Sequence, residues 1–511
     1  MTLDKAALII PPVQDFYTTP HRISSLGVET VRRILIGNGL DVRIIDGLQR
    51  GRRSVVLPLP EQLSYLHEHL LENETGRCSF FTKYRHFGLS CSEIVQMIQK
   101  YDPDICLISC FAFCYSKPVI ELSGIIRTVL PEVPVAVGGA GVSVYPDYFL
   151  RCSSIDYTLS GEAEICLPLF LDYLRAPTER SVNTVYGLGA KTEGVHTIVP
   201  PEKYAAAEEI RPVIAETLPN DRRTVFATSL SRGCPAGCRF CSNSLVHGTC
   251  FRHVSIQQFE PALSELPDFP AGHEVAFDFE DDNLLFDFDF LMSILERCRS
   301  RFSRFGFTFE NGIDYRLLSP EQCETLIKAG CGQFNFSLGS LRPEILERER
   351  RVLDLDRYEH LLSIVEQQGI PVVTYVICGF AEDTKESVAE NLRYLSDKKT
   401  AIGLSLYYPV PGISGFEDRS IFDSIDPQCC TGAAAYPWGG NLDTCTLITA
   451  FRLARFINLL KSPVKNSEES EIIRLTTGRG LLHTVVKGRI RRIISVPKQD
   501  EELAGMVLSK L

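Results

Sequence analysis

The sequence predicts an α/β protein built largely from parallel strands. Short apolar, β-rich runs alternate with helix-like stretches, and this alternation occurs in two separate regions of the chain. The length of 511 residues suits about three domains. We predict an α/β domain over residues 1–175, a linker with a hairpin over 176–223, a second strand–helix repeat over 224–415 and a mainly helical extension over 416–511.

The first region has the pattern of a parallel sheet covered by helices. Predicted strands lie at 6–10, 41–45, 105–109, 133–137 and 156–159, and predicted helices at 28–37, 118–130 and 163–174. Ligands of such sheets bind beyond the carboxyl ends of the strands. Gly138, Gly139 and Gly161 follow strands of this region, where a residue without a side chain lets a ligand approach the backbone.

The second region has six apolar, β-rich runs with helix-like stretches between them. They lie at 225–230, 275–279, 305–312, 334–339, 372–379 and 404–410. Repetition of strand and helix predicts a parallel barrel or part of one, with functional residues at the carboxyl ends of the strands. In the extension, a helix is predicted at 444–461.

Composition and charge exclude several classes of function. The net charge of −11 argues against a nucleic-acid partner. No stretch reaches the ~18 uncharged apolar residues of a membrane helix, and the apolar run at the N-terminus is too short for a signal peptide. Eighteen Cys without regular pairing fit a reduced cytoplasm. The basic stretch from Arg474 to Lys498 is interpreted as a solvated helix face, with a partner patch as the alternative.

Cys234, Cys238 and Cys241 form a C-x-x-x-C-x-x-C run after the first strand of the second region. Pro235 and the glycines around it argue against one face of a helix. Three thiolates at this spacing can hold three irons of a 4Fe–4S cube, which usually takes four Cys, so the fourth iron would be open to another ligand. A zinc site would need a fourth ligand, for which Cys250 is the near candidate.

This run resembles the signature loop of the radical S-adenosylmethionine (SAM) superfamily, in which an aromatic residue precedes the last Cys, as Phe240 does here. The resemblance implies a partial (β/α)6 barrel over 224–415 and a 4Fe–4S cluster. It also implies that SAM chelates the open iron through its amino and carboxylate groups. One electron from the cluster would then cleave SAM and yield a deoxyadenosyl radical.

The resemblance assigns residues at the strand ends to SAM. The acidic stretch after the second strand would receive the amino group, with a solvated surface loop as the alternative. Arg316 would pair with the SAM carboxylate or merely with Asp314. Ser337 lies in the last part of the fourth strand and Glu382 follows the fifth, where relatives place the ribose and adenine. The residues assigned to SAM are Phe240, Asp281, Asp282, Asn283, Arg316, Ser337 and Glu382.

The first region resembles the cobalamin-binding domain that precedes many radical SAM cores. Ser109 and Phe111 precede Gly138 at the spacing of that fold's Ser-x-Leu and Gly-Gly elements. The loop that supplies the lower axial histidine is missing, and His21 stands at the wrong spacing for it. The resemblance implies cobalamin held without a protein histidine, or a domain that kept the fold and lost the cofactor. The residues assigned to cobalamin are Ser109, Phe111, Gly138, Gly139, Gly161 and Glu162.

These resemblances together predict a radical SAM enzyme that functionalises an unactivated carbon of a small-molecule substrate by cobalamin-dependent methyl transfer. A reducing partner such as flavodoxin or ferredoxin would supply the electron. Two alternatives stay open: a radical cyclisation, rearrangement or dehydrogenation without cobalamin, and a non-enzymatic iron–sulfur or zinc module. The sequence identifies neither the substrate nor a catalytic side chain.

Overall fold

The computed structural model describes residues 3–17, 26–49, 53–71, 81–177, 181–192, 195–219, 222–461, 471–476, 481–486, 489–495 and 499–509. His21, which the sequence places at the wrong spacing for an axial ligand, lies outside the described residues. The chain forms two compact units. The first unit comprises 1–55, 86–311 and 410–427, and the second comprises 56–85, 312–409 and 428–511.

The strands are β1 (Lys5–Ile10), β2 (Val13–Asp15), β3 (Asp41–Asp46), β4 (Ser54–Val56), β5 (Arg85–Phe87), β6 (Ile105–Ser109), β7 (Val135–Gly138), β8 (Tyr157–Leu159), β9 (Leu188–Thr192), β10 (Val195–Ile198), β11 (Val213–Pro219), β12 (Arg223–Ser229), β13 (Ser231–Arg232), β14 (Arg252–His253), β15 (Glu274–Phe279), β16 (Phe305–Thr308), β17 (Cys331–Gly339), β18 (Val372–Cys378), β19 (Ala401–Leu406), β20 (Glu471–Thr476), β21 (Leu481–Val486) and β22 (Arg489–Ser495).

The helices are α1 (Leu26–Gly37), α2 (Cys91–Tyr101), α3 (Ser116–Val129), α4 (Ala140–Val144), α5 (Pro146–Leu150), α6 (Ala163–Arg175), α7 (Asn243–His247), α8 (Ile256–Ser264), α9 (Phe288–Arg301), α10 (Pro320–Ala329), α11 (Pro343–Arg348), α12 (Leu355–Gln367), α13 (Lys385–Ser396), α14 (Ile421–Ser424), α15 (Thr444–Lys461) and α16 (Glu501–Leu508). In the described part of the chain, none of these helices combines the length and apolar character needed to cross a membrane.

The first unit contains a sheet whose described strands follow the order β10-β9-β8-β7-β6-β1-β3. The neighbouring strands β3, β1, β6, β7 and β8 run parallel to one another. The predicted hairpin of β9 and β10 extends the sheet beyond β8 in antiparallel fashion. Apolar residues of α1 and α6 pack over the sheet and form one core with it. Ser109 pairs with Gly138, and Gly138 with Leu159, so three strands end side by side. The predicted parallel α/β architecture is confirmed.

The first unit also contains the start of the second strand repeat. β12, β15 and β16 are parallel neighbours, and β11 pairs with β12 in antiparallel fashion. Directly after β12, the short strands β13 and β14 form an antiparallel ribbon that pairs Ser231 with His253 and Arg232 with Arg252. Leu26 of α1 packs against Val213 of β11, so the two strand systems of this unit are joined by apolar contact.

The second unit contains the rest of the repeat. β17, β18 and β19 are parallel neighbours, and α12 and α13 connect them. α15 packs on β19, where Asn458 both donates to and accepts from the backbone of Ile402, at 2.8 and 2.7 Å. The amide side chain thus satisfies backbone groups that a further strand would otherwise pair.

The extension differs from the predicted mainly helical structure. α15 matches the predicted helix at 444–461 and α16 is helical, but β20, β21 and β22 form an antiparallel sheet between them. The interpretation of the stretch from Arg474 to Lys498 as a helix face is therefore wrong, and the side chains of that stretch lie outside the described residues. Ile and Val are frequent in these strands, and β-branched residues favour strands over helices.

Candidate cofactor sites

The two ends of the cysteine loop are held together by the ribbon of β13 and β14. The loop leaves β13 at Arg232 and returns through α7 to β14. Gly233 has a φ of +80°, and a Cβ at this position would lie 2.2 Å from the carbonyl oxygen of Cys250. Only glycine fits a left-handed residue in such close contact with a second backbone segment. The entry and the return of the loop are thus in direct contact.

The three predicted cluster ligands lie along this loop. Cys234 and Cys238 are half-buried and Cys241 is exposed, and the Cys241 amide donates to the Cys238 carbonyl at 3.2 Å. Although its residue reaches the surface, the pKa of the Cys241 thiol is raised to about 11, because the loop removes water from the sulfur and because Cys238, Asp282 and Cys234 repel negative charge. A bound cation opposes that repulsion, so the thiolates suit a metal-loaded state.

A single-ion site and a cluster place different demands on the three thiolates. Nowhere in the described ranges do three or more His, Cys, Asp or Glu side chains form a group that could hold one ion. In a cube each cysteine binds a different iron, so its ligands need not converge on one point. The alternative of a zinc site with Cys250 as fourth ligand gains no support from this geometry.

Asp281, assigned to SAM by resemblance, holds the entry of the loop. It is buried, and its Oδ1 accepts hydrogen bonds from the amides of Leu230 and Ser231 at 2.8 and 2.5 Å and from the Ser231 hydroxyl at 2.6 Å. Burial raises its pKa to about 6, although these hydrogen bonds oppose the shift. The alternative that the acidic stretch is a solvated surface loop therefore does not hold for Asp281. Its Oδ2 is buried and has no hydrogen-bond partner among the described residues.

The next two residues of the acidic stretch also support the local fold. Asp282 accepts a hydrogen bond from Asn243 of α7 at 2.8 Å. Asn283 is buried and accepts from the amide of Leu285 at 3.1 Å. Phe240 is half-buried in the cysteine loop itself. Asp282 and Phe240 therefore lie in or against the loop, and the SAM role of all these residues stays a prediction.

The other residues assigned to SAM belong to the second unit. Arg316 donates two hydrogen bonds to the carboxylate of Asp314, which was predicted as the alternative partner to the SAM carboxylate. Glu382 forms an ion pair with Arg348 of α11. The carbonyl of Ser337 accepts from the buried Arg351 at 2.8 Å.

Sequence reasoning missed Asp383, which organises the turn after β18. It is fully buried and accepts hydrogen bonds from the amides of Gly379 and Phe380 at 2.8 and 3.1 Å and from the Ser387 hydroxyl at 2.8 Å. Burial raises its pKa. The signal in the sequence was its place directly before Thr384, the N-cap of α13. Glu382 next to it is therefore presented by a turn that its neighbour fixes.

A cavity of about 310 Å³ lies in the first unit at the carboxyl ends of β6, β7 and β8. Its walls are mainly apolar and come from the sheet and from α1 and α6, with Leu8, Val31 and Leu107 among them. All six residues assigned to cobalamin line it: Ser109, Phe111, Gly138, Gly139, Gly161 and Glu162. The structure thus brings this set together, while its role in binding a cofactor stays a prediction.

Close backbone approach shapes the mouth of this cavity. Gly139 has a φ of +112°, and a Cβ there would lie 2.5 Å from the carbonyl oxygen of Cys110. Phe111 is partly exposed and its ring lies 4.9 Å from that of Tyr115. Phe111 and Gly139 both line the cavity, and glycine is required at 139 because the Cys110 backbone approaches it closely.

The cavity is also lined by residues that flank the cysteine loop: Arg232 before it, and Val246 and His247 of α7 after it. α7 packs against α4, which begins directly after Gly139. Sequence reasoning assigned none of these three residues, because the contact joins segments far apart in the chain. The cysteine loop and the cavity are adjacent sites of one unit.

Two carboxylates meet these flanking residues. Glu162 is buried and accepts from His247 Nδ1 at 3.0 Å and from Arg252 at 2.9 and 3.1 Å. These partners lower its pKa to about 2, against the effect of burial. Glu164 lies 3.7 Å from Arg232, and its buried Oε1 lacks a hydrogen-bond partner. Of the two, Glu164 therefore has acceptor capacity left at the cavity.

Residues 228–395 match the family model of the radical SAM superfamily, a stretch that contains the three cysteines. This part of the chain is a radical SAM domain, and the prediction of such a domain is confirmed. A radical SAM domain implies a 4Fe–4S cluster and SAM, in agreement with the thiolate set described above.

The chain is similar to bacteriochlorophyllide d C-12(1)-methyltransferase of Chlorobaculum tepidum, with 26% identity over 290 residues, which cover 56% of this chain and 59% of that protein. It is also similar to cytidylyl-2-hydroxyethylphosphonate methyltransferase of Streptomyces wedmorensis, with 22% identity over 440 residues, 77% of either chain. The matched part is less than two thirds of the Chlorobaculum protein.

Two solved structures share the fold. The radical SAM methyltransferase TsrM from Kitasatospora setae, solved with cobalamin and a 4Fe–4S cluster, gives a TM-score of 0.54 at 15% identity and covers 79% of this chain and 72% of its own. The cobalamin-dependent radical SAM enzyme OxsB, solved with aqua-cobalamin and SAM, gives 0.56 at 16% identity and covers 83% of this chain and 55% of its own.

Replacing Asp281 by Ala tests its role at the loop entry. We expect a lower free energy of unfolding, by roughly 3 kcal/mol, because buried donors of Leu230 and Ser231 lose their acceptor. We also expect weaker retention of iron after reconstitution. Urea denaturation and iron analysis measure both. Asp289→Ala, an exposed position of α9, is the control and should change neither.

Glu162 predicts a pH dependence of stability. Its pKa is lowered from 4.5 to about 2, so its stabilising contribution is complete above its unfolded pKa and is lost as the pH falls towards 2. Glu162→Gln should therefore cost roughly 3 kcal/mol at neutral pH and progressively less below about pH 4.5. Urea midpoints of the cluster-free protein at several pH values measure this difference. A difference that does not change with pH would contradict the assignment.

Proposed function

We propose that the protein is a radical SAM methyltransferase that methylates an unactivated carbon of a small molecule with the help of a 4Fe–4S cluster, SAM and cobalamin. The observation that supports this most strongly is the shared wall of the two sites. Arg232, Val246 and His247 flank the cysteine loop and at the same time line the cavity at the ends of β6, β7 and β8. A methyl carrier and a SAM-cleaving centre must be close to one substrate carbon to act on it.

The fold and the relatives support the same proposal. Known relatives are named as methyltransferases, and TsrM and OxsB combine cobalamin with radical SAM chemistry. We propose a Rossmann-like cobalamin domain over 1–175, the linker over 176–223, a partial (β/α)6 barrel over 224–415 and the extension over 416–511. The parallel pairing of β12–β15–β16 and of β17–β18–β19 supports the strand repeat of the barrel.

The cysteine loop fits a cluster with one open iron. Cys234, Cys238 and Cys241 would bind three irons, and the cluster and cobalamin would supply the electron and the methyl carrier for the reaction. The protein's own part is to hold the loop. Asp281 fixes its entry through the backbone of Ser231, and the ribbon of β13 and β14 fixes its base.

The cavity fits part of a cobalamin molecule. Apolar walls suit the rings, and Gly138, Gly139 and Gly161 contribute no side chains to the lining. The amide side chains of a corrin are hydrogen-bond donors, and the buried Oε1 of Glu164 accepts no hydrogen bond from any described residue. The His247 Nδ1 is engaged by Glu162, and we propose that cobalamin is held without an axial protein histidine.

The other residues assigned by resemblance would contact SAM or the segments around it. Phe240 and Asp282 lie in or against the cysteine loop and would contact SAM there. Arg316, Ser337 and Glu382 are assigned to SAM by resemblance, and Arg316 would exchange Asp314 for the SAM carboxylate. Asp281 and Asn283 would act on SAM only through the backbone they fix. A flavodoxin or ferredoxin in a reduced cytoplasm would supply the electron, since a cluster of this kind is sensitive to oxygen.

Cleavage of SAM is the first test. Protein reconstituted anaerobically with iron and sulfide should hold about four irons and release 5′-deoxyadenosine from SAM under reducing conditions. Cys241→Ala should abolish the product and lower the iron content, because one of three ligands is lost. Cys250→Ala, at an exposed position just beyond α7, should retain both. Product formation by Cys241→Ala at the wild-type level would contradict the ligand assignment, and zinc without iron in the wild type would revive the zinc module.

Retention of cobalamin is the second test. Hydroxocobalamin should co-elute with the wild-type protein in gel filtration. Gly139→Ala should weaken binding at least tenfold, because its Cβ would collide with the Cys110 carbonyl at the cavity mouth. Gly124→Ala in α3, where an added Cβ meets nothing within 4 Å, is the matched control. Absence of cobalamin from the wild-type fraction would exclude methyl transfer and leave a radical reaction without cobalamin.

A further inference from the structure

Glu162 was assigned to cobalamin by resemblance, but both of its oxygens are used within the protein. Oε1 accepts from His247 Nδ1 at 3.0 Å and from Arg252 at 2.9 Å, and Oε2 accepts from the Ala205 amide at 2.6 Å and from Arg252 at 3.1 Å. The residue is 3% exposed. It therefore has little capacity left for a hydrogen bond to a bound molecule.

The partners of Glu162 stand on the returning side of the cysteine loop. His247 is the last residue of α7, which begins two positions after Cys241, and Arg252 opens β14, which closes the loop against β13. Arg252 also donates to the carbonyls of His247 and Cys250, at 2.7 and 3.2 Å. One carboxylate thus fixes a guanidinium that in turn fixes the backbone after the last cluster ligand.

Glu162 stands equally on the wall of the cavity. It follows Gly161 at the end of β8, precedes the first turn of α6, and lines the cavity together with His247. A displacement of the backbone at Gly161 that accompanies a bound molecule would move the carboxylate. Because charge-assisted hydrogen bonds depend strongly on distance and direction, that displacement would be transmitted to Arg252 and His247.

We infer that Glu162 is a positioning residue that couples occupancy of the cavity to the geometry of the cysteine loop, so that each site binds its cofactor more tightly when the other is filled. The inference rests on the proposed function, since it takes the cavity to be the cobalamin site. Coupling between two sites is reciprocal by thermodynamic necessity, and it is measurable as a ratio of affinities. A purely structural anchor would change stability and both affinities but not that ratio.

The experiment measures the dissociation constant of hydroxocobalamin for the full chain in two forms, cluster-free and reconstituted with iron and sulfide. For the wild type we expect binding to be at least about fivefold tighter in the reconstituted form. For Glu162→Gln we expect the ratio to fall to within about twofold of unity, whatever the absolute affinities. Reciprocally, hydroxocobalamin should slow the removal of iron by a chelator in the wild type and not in the variant.

The chain offers a matched control. Asp147 of α5 also bonds a histidine and an arginine, His196 at 2.9 Å and Arg151 at 2.8 Å, but none of these partners belongs to the cysteine loop. Asp147→Asn should keep the wild-type ratio. Arg252→Lys keeps the positive charge but loses the two-pronged contact, so its ratio should be intermediate. If Glu162→Gln does not fold, the affinity ratio of Arg252→Lys compared with that of the wild type tests the coupling.

Four outcomes would overturn the inference. Equal affinities of the two wild-type forms would exclude coupling while leaving the proposed function intact. An unchanged ratio in Glu162→Gln, or a ratio lost equally in Asp147→Asn, would exclude Glu162 as the coupling residue. Failure of both wild-type forms to bind hydroxocobalamin would overturn the inference and the cobalamin part of the proposed function together.

Discussion

The first unit depends on one constraint: a loop that carries three cysteines must be held in shape from its two ends. A loop with Pro235 and several glycines has few backbone hydrogen bonds of its own to hold it. The structure meets this constraint at the entry through Asp281, at the base through the ribbon of β13 and β14, and at the return through Arg252 and its partner Glu162. Each of these contacts lies outside the loop.

This arrangement also explains why the cysteine loop and the cavity are neighbours. The parallel sheet ends in Ser109, Gly138 and Leu159 side by side, which opens a cavity at the ends of the strands. Glu162 lies just after β8, at the same edge of the sheet as the cavity, and it bonds the residues that return from the cysteine loop. The segments that support the loop therefore also line the cavity. A single set of contacts therefore supports the loop and completes the wall of the cavity.

Local patterns in the sequence predicted the elements well, and contacts between distant segments escaped them. The helix at 444–461 and the alternation of strands were readable because period and composition are local properties. The radical SAM domain was readable because the spacing of the three cysteines is a local property of the sequence, while their role as ligands stays a prediction. The strands at 471–495 were missed because the basic residues between their apolar residues also suit a solvated helix.

The roles of single carboxylates were the least predictable part of the site. Asp281 and Glu162 stand in the motifs that the resemblance assigned to cofactors, yet their oxygens bond Ser231 and Arg252. A motif records that a residue type is needed at a place and does not record whether its partner is a ligand or another segment of the chain.

The contacts that support the cysteine loop are charged because they must fix its geometry. Apolar packing stabilises a loop but is not directional, so it tolerates small slides and rotations. A buried carboxylate that faces a guanidinium fork loses much of its stabilisation when its geometry changes, and it is costly to leave unpaired. The ion pair of Glu162 and Arg252 thus stabilises the protein less than apolar side chains would, but it fixes the position of the loop. A loop that binds three irons of a cluster through Cys234, Cys238 and Cys241, as proposed, would require that definition.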